Sequence, residues 1–416
     1  MTGRQPQVLL AASTWWPLSA RLALALRANG CKVDAVCPPG HPMLAVSGVG
    51  RHYPYHRSDS LGALKLAIIA AEPDVLIPCD DGVVWQLQAL QDEAPDLRPL
   101  IERSLGPASI HAVINSRERL LGVAAELGIR VPRVRQIDSR DDLDAWFSEG
   151  FDRGVLKLDH SWGGRGVQIA GSRKEALHTW QKMRKPLATA VAWKRWLINH
   201  DVLALWVWRT SSQPVVTIHE YIGGQPANTM FVCWRGEVLS LVTAKVLCSQ
   251  GPTGAATVVE LTRNAEIERA ARLLAKRLHL TGFHGLDFML EHATGAAHLI
   301  EWNPRCTQLG HLQLPDQASL AATFSMALGA DRHSNRAVPV RSGTVAFFPG
   351  ACTWQPGSPY LQTGYHDVPW EEPQLVRELL TDSWPDRQWP ARLYHALRAP
   401  GQPKPVSFEA LVAARP

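Results

Sequence analysis

Apolar residues arrive in short blocks from the start of the chain. Val8–Ala12 is a continuous apolar run and predicts a buried strand. Polar and turn-forming residues at Ser13–Pro17 break it. Leu18–Asn29 then carries apolar positions at helical spacing and stops at Gly30. Lys32–Cys37 predicts a second strand, closed by Pro38, Pro39 and Gly40. The plan repeats with a helix over Leu61–Ala71, a strand over Pro73–Pro78 and a loop opening on Cys79, Asp80, Asp81 and Gly82. Alternating strands and helices joined by short loops predict a parallel α/β sheet. Ligands of such sheets sit at the carboxyl ends of the strands, so Ser13, Thr14, Asp80 and Asp81 are candidate substrate contacts. Helix N-capping is the competing role for the acidic pair.

The texture changes after Asn115. Ser116–Leu127 predicts a helix ended by Gly128, Asp141–Phe147 another, and Gly154–Leu158 and Val167–Ala170 two strands around a glycine-rich turn. A Trp-rich stretch, Trp193–Trp208, precedes an apolar strand at Val215–Ile222. Gly282–Leu290 and His298–Arg305 predict two strands about a turn at His292–Ala297. Beyond Ala337 the chain is rich in Pro, Gly and Trp, with short helical pieces at Glu372–Leu380 and Ala391–Leu397. No internal repeat or low-complexity segment interrupts this order.

Composition narrows the class. With 416 residues, two to four packed domains are expected, and 46% hydrophobic with 19% charged residues is the balance of a globular protein. The formal charge of +5 is not gathered into basic runs, which argues against nucleic acid as partner. Seven scattered cysteines without a CxxC point to reduced thiols in a cytoplasmic protein rather than a disulfide framework or a zinc site. The apolar run in MTGRQPQVLLAAS is too short for a signal peptide, and no stretch approaches the ~18 apolar residues of a membrane span. The first strand–helix turn lacks GxGxxG, which counts against a dinucleotide-dependent oxidoreductase.

Three segments carry chemistry. In the first, Lys157 lies inside an apolar strand, where its ammonium needs an anion. It is followed by Ser161, Gly163, Gly164 and Gly166, whose small side chains let backbone N–H groups close over phosphate oxygens. The Walker A order is absent, so the pattern suggests a strand–flap–strand clamp on a polyphosphate. In the second, Asp287 sits in one apolar strand, and Glu301 and Asn303, two apart, share a face of the next. Carboxylate and amide oxygens suit Mg²⁺, which takes phosphate oxygens and water as its remaining ligands. Arg305 adds a charge for phosphate. In the third, the strand at Val215–Ile222 runs into Gly223-Gly224, and His219, Glu220, Tyr221 and Ile222 could present backbone groups to a flat base.

In this order the three segments resemble the ATP-grasp superfamily, from about Asn115 to Gly329. The resemblance implies an N-terminal parallel α/β domain (1–112), a small lid lobe (113–192), a large lobe with the metal site (193–335) and a C-terminal extension (336–416). It implies that Lys157 contacts the α/β-phosphates, that Ser161 to Gly166 cover them, and that His219 to Ile222 frame adenine, Glu220 making the side-chain contact to adenine or ribose. Asp287, Glu301 and Asn303 would hold one or two Mg²⁺, with Mn²⁺ as the alternative ion, and Arg305 would face phosphate or an acyl-phosphate. The lysine that many members carry upstream is replaced by Arg117 or Arg119. The ribose-binding acid after the hinge is missing, with Gln225 and Asn228 in that neighbourhood. Lys245, Gly251–Gly254 and Arg263 fall where substrate contacts often lie.

The implied activity is an ADP-forming ligation of a small-molecule carboxylate and amine through an acyl-phosphate, with a homodimer as the default assembly. The rivals are another ATP-grasp chemistry, a carboxylase or phosphotransferase step, and a non-catalytic ATP-binding sensor. Retention of every metal-ligand position speaks against the sensor. His284 beside the metal strand reads as a packed residue rather than a base.

Overall fold

The computed structural model describes residues 5–396, except 160, 162–165, 199–200, 203, 206–207, 209–213, 316 and 332–339. The N-terminal unit is the expected parallel sheet. Strands β1 (Gln7–Ala11), β2 (Lys32–Cys37), β3 (His52–Pro54) and β4 (Val75–Pro78) lie in the order β3-β2-β1-β4. Helix Leu18–Ala28 ends where Gly30 turns the chain at φ +85°. Asp80 caps helix Asp81–Glu93 by accepting the Val83 N–H, so N-capping holds for the first acid of the pair.

A small antiparallel sheet follows, built from β5 (Val134–Gln136), β6 (Gly154–Leu158), β7 (Val167–Ala170) and β8 (Val216–His219) in the order β5-β8-β6-β7. Helices Arg140–Ser148 and Arg173–Met183 cover it, burying Trp146, Leu156, Trp180 and Ile218. The strand expected over Val215–Ile222 is shorter, because Glu220 leaves the ladder to bond to the Arg133 backbone. The Trp-rich stretch contributes helix Thr189–Leu197, which reaches the N-terminal unit. There the Arg57 guanidinium donates to the Trp196 carbonyl at 2.7 Å and lies over the Trp196 ring.

The large sheet has seven strands: β9 (Gly224–Trp234), β10 (Glu237–Ser249), β11 (Ala256–Thr262), β12 (Gly282–Glu291), β13 (Ala297–Asn303), β14 (Thr344–Phe347) and β15 (Tyr365–Asp367). Their order is β13-β12-β9-β10-β11-β14-β15. Side-chain alternation divides its faces. One face packs Met230, Val232, Phe283 and Val345 against Leu10, Leu22 and Leu26 of the N-terminal unit. The other packs Phe231, Leu286, Phe288 and Trp302 onto helix Ala265–Leu278, whose Ile267, Ala271, Leu274 and Leu278 form its buried stripe. Each fully buried Ile or Leu there stabilises by about 1.5–3 kcal/mol.

Sheet membership does not follow the chain divisions expected from the sequence. β8 completes the small sheet from beyond residue 192, and β14 and β15 extend the large sheet from beyond residue 335. Both are long-range pairings that no local pattern encodes. All seven cysteines are free. Among the described residues no helix is long and apolar enough to cross a membrane.

Candidate active site

The site lies where β12 and β13 of the large sheet meet β6 and β8 of the small one. Asp287 is directly opposite Glu301 across β12–β13, and Asn228 on β9 is opposite Asp287 on its other side. Opposed residues share a face, so three strands set Asn228, Asp287 and Glu301 in a row, with Asn303 two residues further along β13. The apolar partners on the reverse face, Leu286, Phe288 and Trp302, fix that orientation.

The row is joined by hydrogen bonds. Asn228 Nδ2 donates to Asp287 Oδ1 at 2.5 Å, and Asn303 Nδ2 to Asp287 Oδ2 at 3.0 Å. Arg305 Nη2 donates to Asn303 Oδ1 at 3.2 Å, and its Nε to Asp81 Oδ1 at 2.9 Å, linking the row to the N-terminal unit. At the other end Arg117 Nη2 meets Glu301 Oε1 at 2.8 Å and Nη1 meets Asp159 Oδ1 at 3.1 Å; the guanidinium also bonds to the carbonyls of Leu158 and Ser161. Of the two upstream arginines the site therefore uses Arg117, and Arg119 is exposed. Lys157 Nζ donates to the Ile300 carbonyl at 3.2 Å, tying the small sheet to β13.

These charges are out of balance. Burial and the facing Glu301 push Asp287 up to about 6. Burial would raise Glu301 too, but Arg117 and Lys157 outweigh it and hold it below the usual range. Burial brings Lys157 down to about 8, opposed by Glu301 and assisted by Arg117. Two carboxylates held face to face, with the buried Asn228 Oδ1 lacking any partner, are a donor set that a divalent cation would satisfy. Among the described residues no three His, Cys, Asp or Glu side chains converge as a metal cluster; the side-chain amides beside the two carboxylates are those of Asn228 and Asn303.

The remaining expected residues divide. Gly163 and Gly164 lie outside the described residues. Ser161 Oγ donates to the Leu158 carbonyl at 2.6 Å, and a Cβ on Gly166 would stand 2.0 Å from Ser161 Oγ, so only glycine fits that approach. His219 is buried; its Nε2 pairs with Thr217 Oγ1 at 2.9 Å while its Nδ1 has no partner. Burial, then Lys157 and Arg117, keep its ring neutral. Glu220 Oε2 accepts the Arg133 N–H at 3.1 Å, just ahead of β5, so one oxygen of the carboxylate expected at adenine or ribose is engaged. Tyr221 is exposed, with the Arg153 guanidinium 5.5 Å from its ring centre, and Ile222 is half-buried in the connection to β9. Lys245 pairs with Ala227, one position out of phase with Asn228, and so falls on the opposite face from the carboxylates. Asn228, expected only in the ribose neighbourhood, and Asp159, given no role by the sequence, both join the carboxylate site. The first needed the β9–β12 register, the second its contact with an arginine 42 positions away.

A family model described as the ATP-grasp domain matches residues 204–308, the span holding β8 to β13 and Arg305. No curated protein sequence matches the chain. Among solved structures the fold is similar to N5-carboxyaminoimidazole synthetase from Staphylococcus aureus complexed with ADP, with 13% identity, 80% of each chain covered and a TM-score of 0.56. It is similar to an L-amino acid ligase from Bacillus licheniformis, with 14% identity, 82% of this chain and 79% of that one covered and a TM-score of 0.51. It also resembles the biotin carboxylase domain of 2-oxoglutarate carboxylase from Hydrogenobacter thermophilus, solved with MgADP and bicarbonate, at 12% identity, 80% and 72% coverage and a TM-score of 0.56. At such identities the likeness is one of fold. The ATP-grasp domain match is confined to residues 204–308, the segment that carries Asp287, Glu301, Asn303 and Arg305.

Proposed function

We propose that the protein is an ATP-dependent, ADP-forming ligase that joins a carboxylate to an amine through an acyl-phosphate. The observation that carries this reading is the facing pair Asp287 and Glu301, flanked by Lys157, Arg117 and Arg305 where the small sheet meets β13. Structures of similar fold solved with ADP or MgADP support a nucleotide there, and the L-amino acid ligase supports an amide-forming reaction.

Asp287, Glu301 and Asn303, with Asn228 beside them, would hold Mg²⁺, which when bound offsets phosphate charge. Lys157 and Arg117 would receive the phosphates, Lys157 from a strand that gives it no flexibility to spare. Ser161 to Gly166 would cover them and exclude water, which matters because an acyl-phosphate hydrolyses. His219 to Ile222 would border the base, through backbone groups, the unpaired His219 Nδ1 and the remaining Glu220 carboxylate oxygen. The substrate carboxylate, steadied by Arg305, would attack the γ-phosphorus as the bond to ADP breaks. The amine nitrogen would then attack the acyl carbon, and the C–O bond to the phosphoryl group would break with the electron pair leaving on phosphate.

The test is ADP and phosphate release with Mg²⁺, scanned over pooled amino acids and other small carboxylates, with product masses read. ADP that appears only with a carboxylate–amine pair, with a mass equal to their condensation, establishes the ligase. ADP formation dependent on bicarbonate moves the chemistry to carboxylation. ATP bound but never turned over across the full panel would make the protein a sensor and end the ligase reading.

A further inference from the structure

We propose that Asp81 anchors the amine substrate as its ammonium beside the acyl group, an inference that rests on the ligase reading above. The two adjacent acids at the carboxyl end of β4 have different surroundings. Asp80 is saturated: Oδ1 accepts from Ser13 Oγ at 2.6 Å and Val83 N at 3.0 Å, and Oδ2 from Ser13 N at 2.6 Å and Thr14 N at 3.1 Å. It builds the loop. Asp81 uses one oxygen only, accepting from Arg305 Nε at 2.9 Å. Among the described residues its second oxygen makes no hydrogen bond, and the side chain stays 26% exposed.

That open oxygen ends a continuous chain of contacts. Asn228 bonds to Asp287, Asp287 to Asn303, Asn303 to Arg305 and Arg305 to Asp81. The groups suited to nucleotide and metal, Lys157, Arg117, Asp287, Glu301 and Asn303, all come from the small and large sheets or the helix beside them. Asp81 comes from the N-terminal unit on the far side of Arg305. An acyl group steadied by Arg305 would therefore have the metal on one side and an unpaired carboxylate oxygen on the other. A primary amine reaches neutral solution as its ammonium, and an open carboxylate oxygen is the group that recognises it. Anchoring it there would hold the nitrogen beside an acyl group steadied by Arg305, and a bond-forming approach needs a separation of about 3–3.5 Å. The nitrogen gives up one proton before attack and one as the C–N bond forms; the departing phosphate takes one and solvent the other.

The test separates the two half-reactions in the full-length protein, with ATP, Mg²⁺ and the twenty standard amino acids as carboxylates and amines. Hydroxylamine, uncharged at neutral pH, traps the acyl-phosphate as a hydroxamate without needing an ammonium anchor. In Asp81→Asn, whose amide oxygen still meets Arg305, the KM for the amine is expected to rise at least about tenfold, while the KM for the carboxylate in the hydroxamate assay moves less than about threefold. Asp81→Glu should recover part of the amine KM. An equal loss in both assays would mean that Asp81 only orients Arg305, and a rise confined to the carboxylate would place the anchor on that substrate instead; either overturns the proposal, as does an unchanged amine KM. A wild-type protein that yields no hydroxamate from any carboxylate overturns the ligase reading itself, and the anchor with it.

Discussion

Among the described residues, two charge clusters are built on opposite plans. In one, Asp367 on β15 is buried with an oxygen on Arg21 Nη2 at 2.5 Å and the other on His311 Nε2 at 2.7 Å. Burial would raise its pKa, but Arg21 and His311 outweigh that and hold it below the usual carboxylate range. Three distant parts of the chain meet there, and the carboxylate's charge is answered. In the other, Asp287 and Glu301 face each other, and Asp287 is left high because no cation in the protein answers it directly. The first cluster answers its carboxylate from within the protein; the second leaves a charge deficit of the kind that marks a candidate ligand site.

The comparison can be broken most sharply at its open end. Glu301→Gln is expected to lower Mg²⁺-dependent turnover by about three orders of magnitude or more, since a metal ligand and the focus of transition-state charge are lost together. Its thermal midpoint should stay within a few degrees of wild type, because Arg117 keeps Asp159 and two carbonyls. Turnover near normal in that variant would remove the metal assignment.

The closed cluster should answer in the other currency. Asp367→Ala leaves Arg21 buried without its carboxylate, and equilibrium denaturation should report a loss of about 3–5 kcal/mol. The pH dependence has a definite sign. A carboxylate depressed in the folded state contributes stability above its unfolded pKa, and this is lost as pH falls through the folded value. Wild type should therefore lose stability on acidification more steeply than Asp367→Ala, which a pH series of urea melts will read.

A smaller effect is expected at Lys157. With its pKa brought down to about 8, the ammonium is lost as pH rises past that value. The KM for ATP should rise above pH 8 by up to about tenfold per unit, and Lys157→Arg should flatten the profile. The smallest effect distinguishes the two arginines of helix Arg117–Glu126. Exposed Arg119→Ala should change stability by less than about 0.5 kcal/mol and leave turnover alone, whereas Arg117→Ala should impair it. Equal effects of the two on steady-state turnover would mean that Arg117 has no special place in the site.

Much of the open cluster was legible before any coordinates. Two carboxylates inside apolar strands announce themselves, and the period of two puts Glu301 and Asn303 on one face. β2, β6 and β7 have the residues their apolar runs predicted. What stayed hidden depends on contacts between distant segments. Helix phase alone could not choose Arg117 over Arg119; the choice is made by Glu301, 184 positions away. The Asp81–Arg305 pair spans 224 positions, and Asn228 becomes part of the site only through the register of β9 with β12. Nothing local reveals that one Glu220 oxygen accepts the Arg133 N–H, 87 positions back. The closed cluster was invisible for the same reason: Arg21, His311 and Asp367 share no motif.

The placement of β14 and β15 bears on how the protein can be handled. β14 pairs with β11, and β15 closes the row, so residues far beyond the matched domain cap one margin of the large sheet. A chain cut near residue 330 would strip β11 of its neighbour and bare Val345's and Phe347's former partners in the main core. An unpaired, apolar strand margin is a template for self-association. The segment that carries the candidate site is therefore not a portable module, and a shortened version should be sought in inclusion bodies before it is sought in an assay.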